Sequence, residues 1–137
     1  TVIERPVQEV DPSIFTALQE GDILFIDSSH IYEHGSDVQY LLNTVLPMLS
    51  DGVYIHIHDI FAGFAYPSEW TNSTWNEIDH VRLLLEQSNQ YTVTLFISYM
   101  ATLHENVIKK ILPPYTHITQ GGSLWIQKSK SYAETEY

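Results

Sequence analysis

The chain has 137 residues, a formal net charge of −11 and no cysteine, and 44% of its residues are hydrophobic. This composition predicts one globular domain with a real core, and it excludes disulfides and zinc–thiolate sites. An acidic surface repels phosphate backbones, no apolar run approaches membrane-spanning length and no signal peptide is recognisable, so we expect a cytoplasmic protein that binds neither nucleic acid nor membranes.

Four helices are predicted from their start and stop signals. The first begins at Asp11-Pro12, where an aspartate cap precedes proline, and it ends at Gly21. Capping boxes, in which Ser or Thr stands three positions before Gln or Glu, predict further helices at 36–39, 74–77 and 102–105. We expect Pro47 to kink or shorten the second helix and Pro113-Pro114 to end the fourth.

Short β-rich runs lie between these helices. They are residues 23–26, 53–57, 91–97 and 123–126, with Val2-Ile3 as a weaker candidate. The alternation of strands and helices predicts an α/β fold with a largely parallel sheet. Because the run from Ile23 to Ile26 is apolar on both faces, we expect it to be a central strand.

Polar side chains follow the first two strong strands. Asp27, Ser28 and His30 come after the first, and His58 and Asp59 come after the second. Ligands of open α/β sheets bind beyond the carboxyl ends of the strands, so these side chains predict a site at one rim of the sheet. The alternative is that the two aspartates only cap the following loops. A serine so close to a histidine in sequence lacks the long-range arrangement of a hydrolase triad.

His56 and His58 form a His-x-His pair on one face of a strand, and such a pair can chelate a metal. His56 lies within the strand and shares its face with Tyr54, so we expect a packed, hydrogen-bonded histidine beneath a helix. His58, at the end of the strand, is the stronger candidate for a functional role.

The segment from residue 61 to residue 75 is rich in aromatic side chains. Beside a strand-end site it predicts either a lid or substrate wall, or a plug over the edge of the core. The aromatic residues are Phe61, Phe64, Tyr66, Trp70 and Trp75.

The run GDILFIDSSH at 21–30 resembles the strand-4 segment of class I S-adenosylmethionine (SAM)-dependent methyltransferases, in particular methyltransferase family 24. The similarity continues through Ser36-Asp37, LPMLSDG at 46–52 and His58-Asp59, and GGSLW at 121–125 resembles the last strand. This resemblance implies a Rossmann-like partial sheet, strands 4-5-7-6, flanked by helices. Residues 1–128 would then form the C-terminal half of a methyltransferase domain, with Val2-Ile3 as a remnant of strand 3 and 129–137 as a polar, frayed tail.

The same resemblance implies methyl transfer from SAM to an oxygen or nitrogen of a small molecule by the intact protein. His30 or His58 would be the base, and Asp27 and Ser28 would border the cofactor. In the family, strands 1 and 2 carry the glycine loop and the acidic residue that hold most of SAM. Neither is recognisable in a chain that begins at Thr1, so we expect the fragment alone to be inactive. The alternative is a binding or scaffolding module that keeps the fold without catalysis.

Some methyltransferases with this kind of sheet also hold a divalent metal at the ends of strands 4 and 5. The matching residues are Asp27, His58 and Asp59, a mixed donor set that suits iron or zinc better than magnesium or manganese. The alternative is metal-free catalysis, in which Asp27 orders the loop and His58 is the base. The open edge of strand 4 would need a cover, which we expect to be the remnant strand, a second copy or a separate N-terminal half.

Overall fold

The computed structural model describes residues 1–70, 74–111 and 121–129. The strands are β1 (Ile23–Ile26), β2 (Tyr54–His58), β3 (Tyr91–Phe96) and β4 (Ser123–Lys128). They form one sheet in the order β1-β2-β4-β3. With β1 to β4 equated in chain order with strands 4 to 7, this is the order 4-5-7-6, so the predicted Rossmann-like partial sheet is confirmed.

Three of the four strands, β1, β2 and β3, run in the same direction, so the expected largely parallel sheet is present with β4 as one antiparallel strand. Only β1 and β2 pair in parallel, with Ile26 opposite Ile57. β4 lies between β2 and β3 and runs antiparallel to both. Alternation of strands and helices predicts crossover connections, but it does not reveal that the last strand returns in the opposite direction between two others.

The helices are α1 (Ser13–Thr16), α2 (Asp37–Tyr40), α3 (Leu46–Met48), α4 (Glu77–Gln87), α5 (Ile97–Leu103) and α6 (Glu105–Ile111). A wider π-type turn, Leu41–Val45, joins α2 to α3. The π-type turn ends at Val45, two residues before Pro47. Pro47 has no N–H for a regular helical bond, and α3 ends one residue after it. Single 3₁₀ turns occupy Val7–Glu9, Ala62–Phe64 and Ser68–Trp70.

Only the first of the three capping boxes is formed as predicted. Ser36 Oγ accepts a hydrogen bond from the Gln39 N–H at 3.1 Å. In the second box, the Glu77 side chain turns into the protein instead of back to the start of its helix. In the third, Thr102 lies inside α5 and its hydroxyl donates to the Ser98 carbonyl, so it caps nothing. The predicted third strand ends one residue early, because Ile97 begins α5.

Two predictions at the ends of the chain have different outcomes. Val2 and Ile3 are 85% and 50% exposed and belong to no strand, so the remnant of strand 3 is wrong. At the other end, Ser129 is tied to the sheet, since its N–H donates to the Gln90 carbonyl at 2.7 Å. The rest of the predicted tail, and Pro113-Pro114, lie outside the described residues.

One face of the sheet carries the core, and the other face is more open. Alternate residues of β2 and β4 point into the core, and α2, α3 and α4 pack against them. Fully buried strand residues are Ile55, Ile57, Leu124 and Ile126, and fully buried residues from the helical side include Val45, Leu46 and Val81. On the opposite face, Ile23 and Phe25 are each 54% exposed. β1 is therefore an edge strand of the described sheet, not the central strand that its apolar sequence predicted. None of the described helices combines the length and apolarity needed to cross a bilayer.

Candidate active site

The parallel pairing of β1 and β2 brings both predicted polar clusters to one rim. Ile26, the last residue of β1, pairs with Ile57, so Asp27 comes next to His58, the last residue of β2. His30 and Asp59 have φ of 61° and 57°, a left-handed conformation that costs free energy in residues other than glycine. Such strained residues concentrate at functional sites, where the surrounding structure holds them in place.

His30 is held on both its ring and its backbone. Its Nδ1 lies 2.7 Å from Glu77 Oε2, and its carbonyl accepts hydrogen bonds from the backbone N–H groups of Asn76 and Glu77. Ser28 Oγ donates to Glu77 Oε1 at 2.9 Å and accepts from the His30 N–H. The Ser28 hydroxyl is thus directed to Glu77 and not to the His30 ring, which is not the pairing of a serine nucleophile with its base.

The free edge of His30 faces two aspartates. Its Nε2 lies 3.7 Å from Asp27 Oδ1 and 3.5 Å from Asp59 Oδ2. His58 faces the same pair, with Nδ1 at 3.7 Å from Asp27 Oδ1 and 3.1 Å from Asp59 Oδ1. Two imidazoles therefore converge on two carboxylates. The three predicted metal-binding residues, Asp27, His58 and Asp59, all belong to this group of four.

These atoms are spaced as the ligands of a transition metal could be. One atom each from Asp27, His30 and Asp59 lies within 4.8 Å of the others. A tetrahedral zinc ion with bonds of about 2.0–2.1 Å separates its ligand atoms by about 3.3 Å, close to the distances between the nitrogens and oxygens here. His58 Nδ1 is shielded from water yet makes no hydrogen bond, so it is an unsatisfied nitrogen directed at the aspartates.

The loop that carries the site is fastened by Asp37. Its carboxylate accepts hydrogen bonds from the backbone N–H and the hydroxyl of Ser29. Burial alone would raise the pKa of Asp37, but the hydrogen bonds from Ser29 and from the Val38 N–H hold it below its ordinary value. Asp37 is therefore a stable anion that orders the turn between Asp27 and His30.

Glu77 is the residue that the sequence did not assign to the site. It is 1% exposed, and burial raises its pKa, while the hydrogen bonds from His30 and Ser28 act in the opposite direction. Its position fitted a capping box, which supplied a local explanation and concealed the long-range one. A buried acid in the first turn of a helix carries no sequence signal of its own.

The aromatic segment borders the site through Trp75. Its indole meets the His30 ring edge-on, with centroids 5.1 Å apart. The Trp75 ring in turn packs on the rings of Trp70 and Tyr66, with centroids 5.5 Å and 5.8 Å apart. Burial raises the pKa of Tyr66 to about 12, so its hydroxyl stays protonated in the physiological range. The aromatic cluster thus forms one wall beside His30, an arrangement compatible with the predicted substrate wall and also with the plug.

His56 is packed and hydrogen-bonded, as predicted, although its cover is an indole and not a helix. Its ring stacks on Trp125 with centroids 4.3 Å apart, and its Nε2 lies 2.7 Å from Ser123 Oγ. Phe25 lies against it at 4.9 Å. Burial, reinforced by the charge of His58, lowers the pKa of His56. His56 therefore has a structural partner, and His58 alone of the pair faces the aspartates.

Comparison with known proteins bears on the first part of the chain. A family model described as a methyltransferase domain, that of methyltransferase family 24, matches residues 1–60. This segment contains every site residue that the sequence predicted, but neither Trp75 nor Glu77. The match confirms the resemblance to a class I SAM-dependent methyltransferase-like domain. No curated protein and no solved structure matches the chain.

Proposed function

From the premise that residues 1–60 match a methyltransferase domain, we propose that the chain forms part of an enzyme that transfers the methyl group of SAM to an oxygen or nitrogen of a small molecule. The convergence of Asp27, His30, His58 and Asp59 at the carboxyl rim of β1 and β2 carries this proposal. Ligands of open α/β sheets occupy that position. The net charge of −11 argues for a small acceptor and against a nucleic acid.

His58 is the better placed of the two candidate bases. Its side chain is 45% exposed, whereas that of His30 is 10% exposed and held by Glu77. An acceptor that approaches the rim can reach His58, and imidazole accepts a proton near neutral pH. Carboxylate oxygens of Asp27 and Asp59 lie 3.7 Å and 3.1 Å from His58 Nδ1 and hold the ring at the rim. His30 then serves to bind and orient, and Asp27 and Ser28 border the cofactor.

A divalent metal fits the same residues. We propose that Asp27, His30 and Asp59, with His58 Nδ1 alongside, hold a transition metal such as zinc or iron, because imidazole nitrogens favour these ions over magnesium and manganese. When bound, such an ion lowers the pKa of a coordinated hydroxyl. Without a metal, Asp27 orders the loop and His58 alone removes the proton.

SAM binding should need more than this chain. No glycine in the sequence falls in a G-x-G-x-x-G pattern, so backbone groups for the methionine end of the cofactor must come from elsewhere. The β1 edge supports the same view, because no described strand pairs with its outer side. We propose that this edge is covered by a second copy or by an N-terminal half of the domain.

The experiment measures SAM binding by calorimetry and the release of S-adenosylhomocysteine with a panel of hydroxylated and amino acceptors. It compares the chain alone with a longer version that includes the coding sequence upstream of Thr1. Methyl transfer by the longer version, lost by a factor of roughly 10² to 10⁴ in His58→Asn, supports the proposal. Failure of both versions to bind SAM would favour the alternative, a scaffolding module that retains the fold.

A further inference from the structure

Glu77 occupies an unusual place for a carboxylate. It begins α4, its side chain is 1% exposed, and both of its oxygens are engaged, one by Ser28 and one by His30. Buried acids are rare unless paired, because removal of a charge from water is costly. A helix-start glutamate without a specific task would point into solvent, where it interacts with the helix dipole at no such cost.

The two nitrogens of His30 have very different surroundings. Nδ1 lies 2.7 Å from Glu77 Oε2, a short charge-assisted hydrogen bond. Nε2 lies 3.5 Å and 3.7 Å from the nearest oxygens of Asp59 and Asp27, beyond hydrogen-bond range. The proton of a neutral imidazole belongs where it forms the stronger hydrogen bond, and here that is Nδ1.

We propose that Glu77 is a positioning residue that fixes the tautomer and direction of the His30 ring. The Nδ1–H donates to Glu77, so the Nε2 lone pair is turned toward the space between Asp27 and Asp59. Trp75 meets the ring from the side at 5.1 Å and limits its rotation. Glu77 thus prepares His30 as a nitrogen ligand.

The same arrangement explains why α4 reaches the site. The backbone N–H groups of Asn76 and Glu77 both donate to the His30 carbonyl, at 3.0 and 3.1 Å. Backbone and ring of His30 are therefore held by the first turn of one helix. Carboxylate–histidine pairs of this kind are the usual outer partners of metal-bound imidazoles, where they set ring orientation and ligand basicity.

The role of His30 Nε2 as a ligand rests on the proposed metal site, whereas the position of the ring proton on Nδ1 does not. The first experiment records ¹⁵N–¹H spectra of the histidine rings in the wild-type chain at a pH where His30 is neutral, with and without Zn²⁺. The His30 signals are assigned by their loss in His30→Asn. We expect a proton on Nδ1, a lone-pair shift for Nε2, and a change in the Nε2 shift on addition of Zn²⁺. A proton on Nε2 of the zinc-free wild type would overturn the inference.

The two proposals can fail separately. A proton on Nδ1 with no response of Nε2 to Zn²⁺ would sustain the role of Glu77 in fixing the ring and contradict the metal site. The inference needs no variant for this step, so it remains testable even if substitution of Glu77 prevents folding.

The second experiment uses Glu77→Gln, which keeps the shape of the side chain but can donate a hydrogen bond to Nδ1. We expect the proton to move to Nε2 and the Zn²⁺ affinity to fall roughly 10- to 100-fold, as for the loss of other outer partners. Glu86→Gln is the matched control, since it neutralises an exposed carboxylate of the same helix. In the described ion pairs, the Glu86 carboxylate is paired with Arg82 alone, at 3.8 Å. An unchanged tautomer together with an unchanged Zn²⁺ affinity in Glu77→Gln would contradict the proposal.

Discussion

His56 lies flat on the indole of Trp125, with ring centroids 4.3 Å apart and planes 13° from parallel. This stack joins β2 to β4 on the more open face of the sheet, at the point where the two residues pair across the strands. A neutral ring suits this place better than a charged one, because burial and the neighbouring His58 lower the pKa of His56. The stability of the sheet should therefore depend on pH.

The first prediction concerns that dependence. In the unfolded chain His56 titrates near 6.5, and in the folded chain it titrates lower, so the unfolded state takes up its proton first. The contribution of His56 is thus complete above pH 6.5 and is lost as the pH falls through the folded pKa. His56→Phe keeps an aromatic ring on Trp125 but cannot be protonated, so it should lose this part of the acid destabilisation.

Urea unfolding between pH about 8 and about 5 measures the effect. His34→Phe is the control, because His34 is exposed and should show no comparable change. If the free energy of unfolding of His56→Phe falls with decreasing pH as steeply as that of the wild type, His56 is not the group responsible.

The second prediction concerns the aspartates of the site. Asp27→Asn and Asp59→Asn each replace a charged oxygen ligand with a weaker neutral one. Each should reduce the affinity for Zn²⁺ by at least tenfold, since the loss of even an outer partner of a ligand reduces metal affinity by that factor or more. Asp79→Asn removes an exposed charge from α4 and should leave the affinity nearly unchanged. Calorimetric titration measures all three variants. Equal affinities in the three variants would show that the cation binds through general surface charge.

Activity supplies a second readout in an enzyme version that transfers methyl groups. A chelator should abolish the activity, added cation should restore it, and Asp27→Asn should weaken that rescue. Full activity after exhaustive chelation would leave His58 as the base in a metal-free reaction.

The position of the site at the rim of the sheet was predictable, because it depends on which residues come at the ends of the strands in the sequence. Asp27 and His58 follow apolar runs, and two parallel neighbouring strands must end at the same edge of a sheet. The order of all four strands came from the family resemblance, since the alternation of elements alone indicates neither the strand order nor which strand runs antiparallel. Glu77 could not be predicted, because its partner His30 is 47 residues away and a capping box explained it locally.

The third prediction concerns the outer edge of β1. An uncharged four-residue strand with exposed Ile23 and Phe25 offers unpaired backbone groups to another strand. If a second copy covers this edge, light scattering should give twice the mass of the chain, and Ile23→Lys should return it to the monomer. Leu83→Lys, which places the same charge on exposed α4, is the control.

Hydrogen exchange tests the remaining alternative for the same edge. If an N-terminal half covers β1, the amides of residues 23–26 that point away from β2 should exchange slowly in the longer version and rapidly in the chain alone. A monomeric mass with fast exchange of these amides in both versions would contradict any covering of the edge.

The last prediction concerns Gly122, which lets the beginning of β4 pass close to the site. Its carbonyl accepts the Asp59 N–H at 2.7 Å, and a Cβ added to it would lie 2.8 Å from Asp59 Cα and 2.7 Å from the Phe61 ring. Backbone atoms cannot yield as a side chain does, so Gly122→Ala should push Asp59 away from His30 and His58. We expect a loss of about 1–3 kcal/mol in the free energy of unfolding, typical of overpacking, together with weaker cation binding.

Gly121→Ala is a closely matched control for this substitution. A Cβ at Gly121 would lie 2.9 Å from Cγ2 of Ile97 and near no atom of Asp59, so any clash would displace the stiff, β-branched Ile97 side chain and not the site. Denaturant unfolding and cation titration on the two variants therefore separate a local clash from an effect on the site. Gly122→Ala should lose both stability and cation affinity, whereas Gly121→Ala should lose stability with little change in cation affinity. If Gly122→Ala lowers stability but binds Zn²⁺ like the wild type, the position of Asp59 does not govern the cation site.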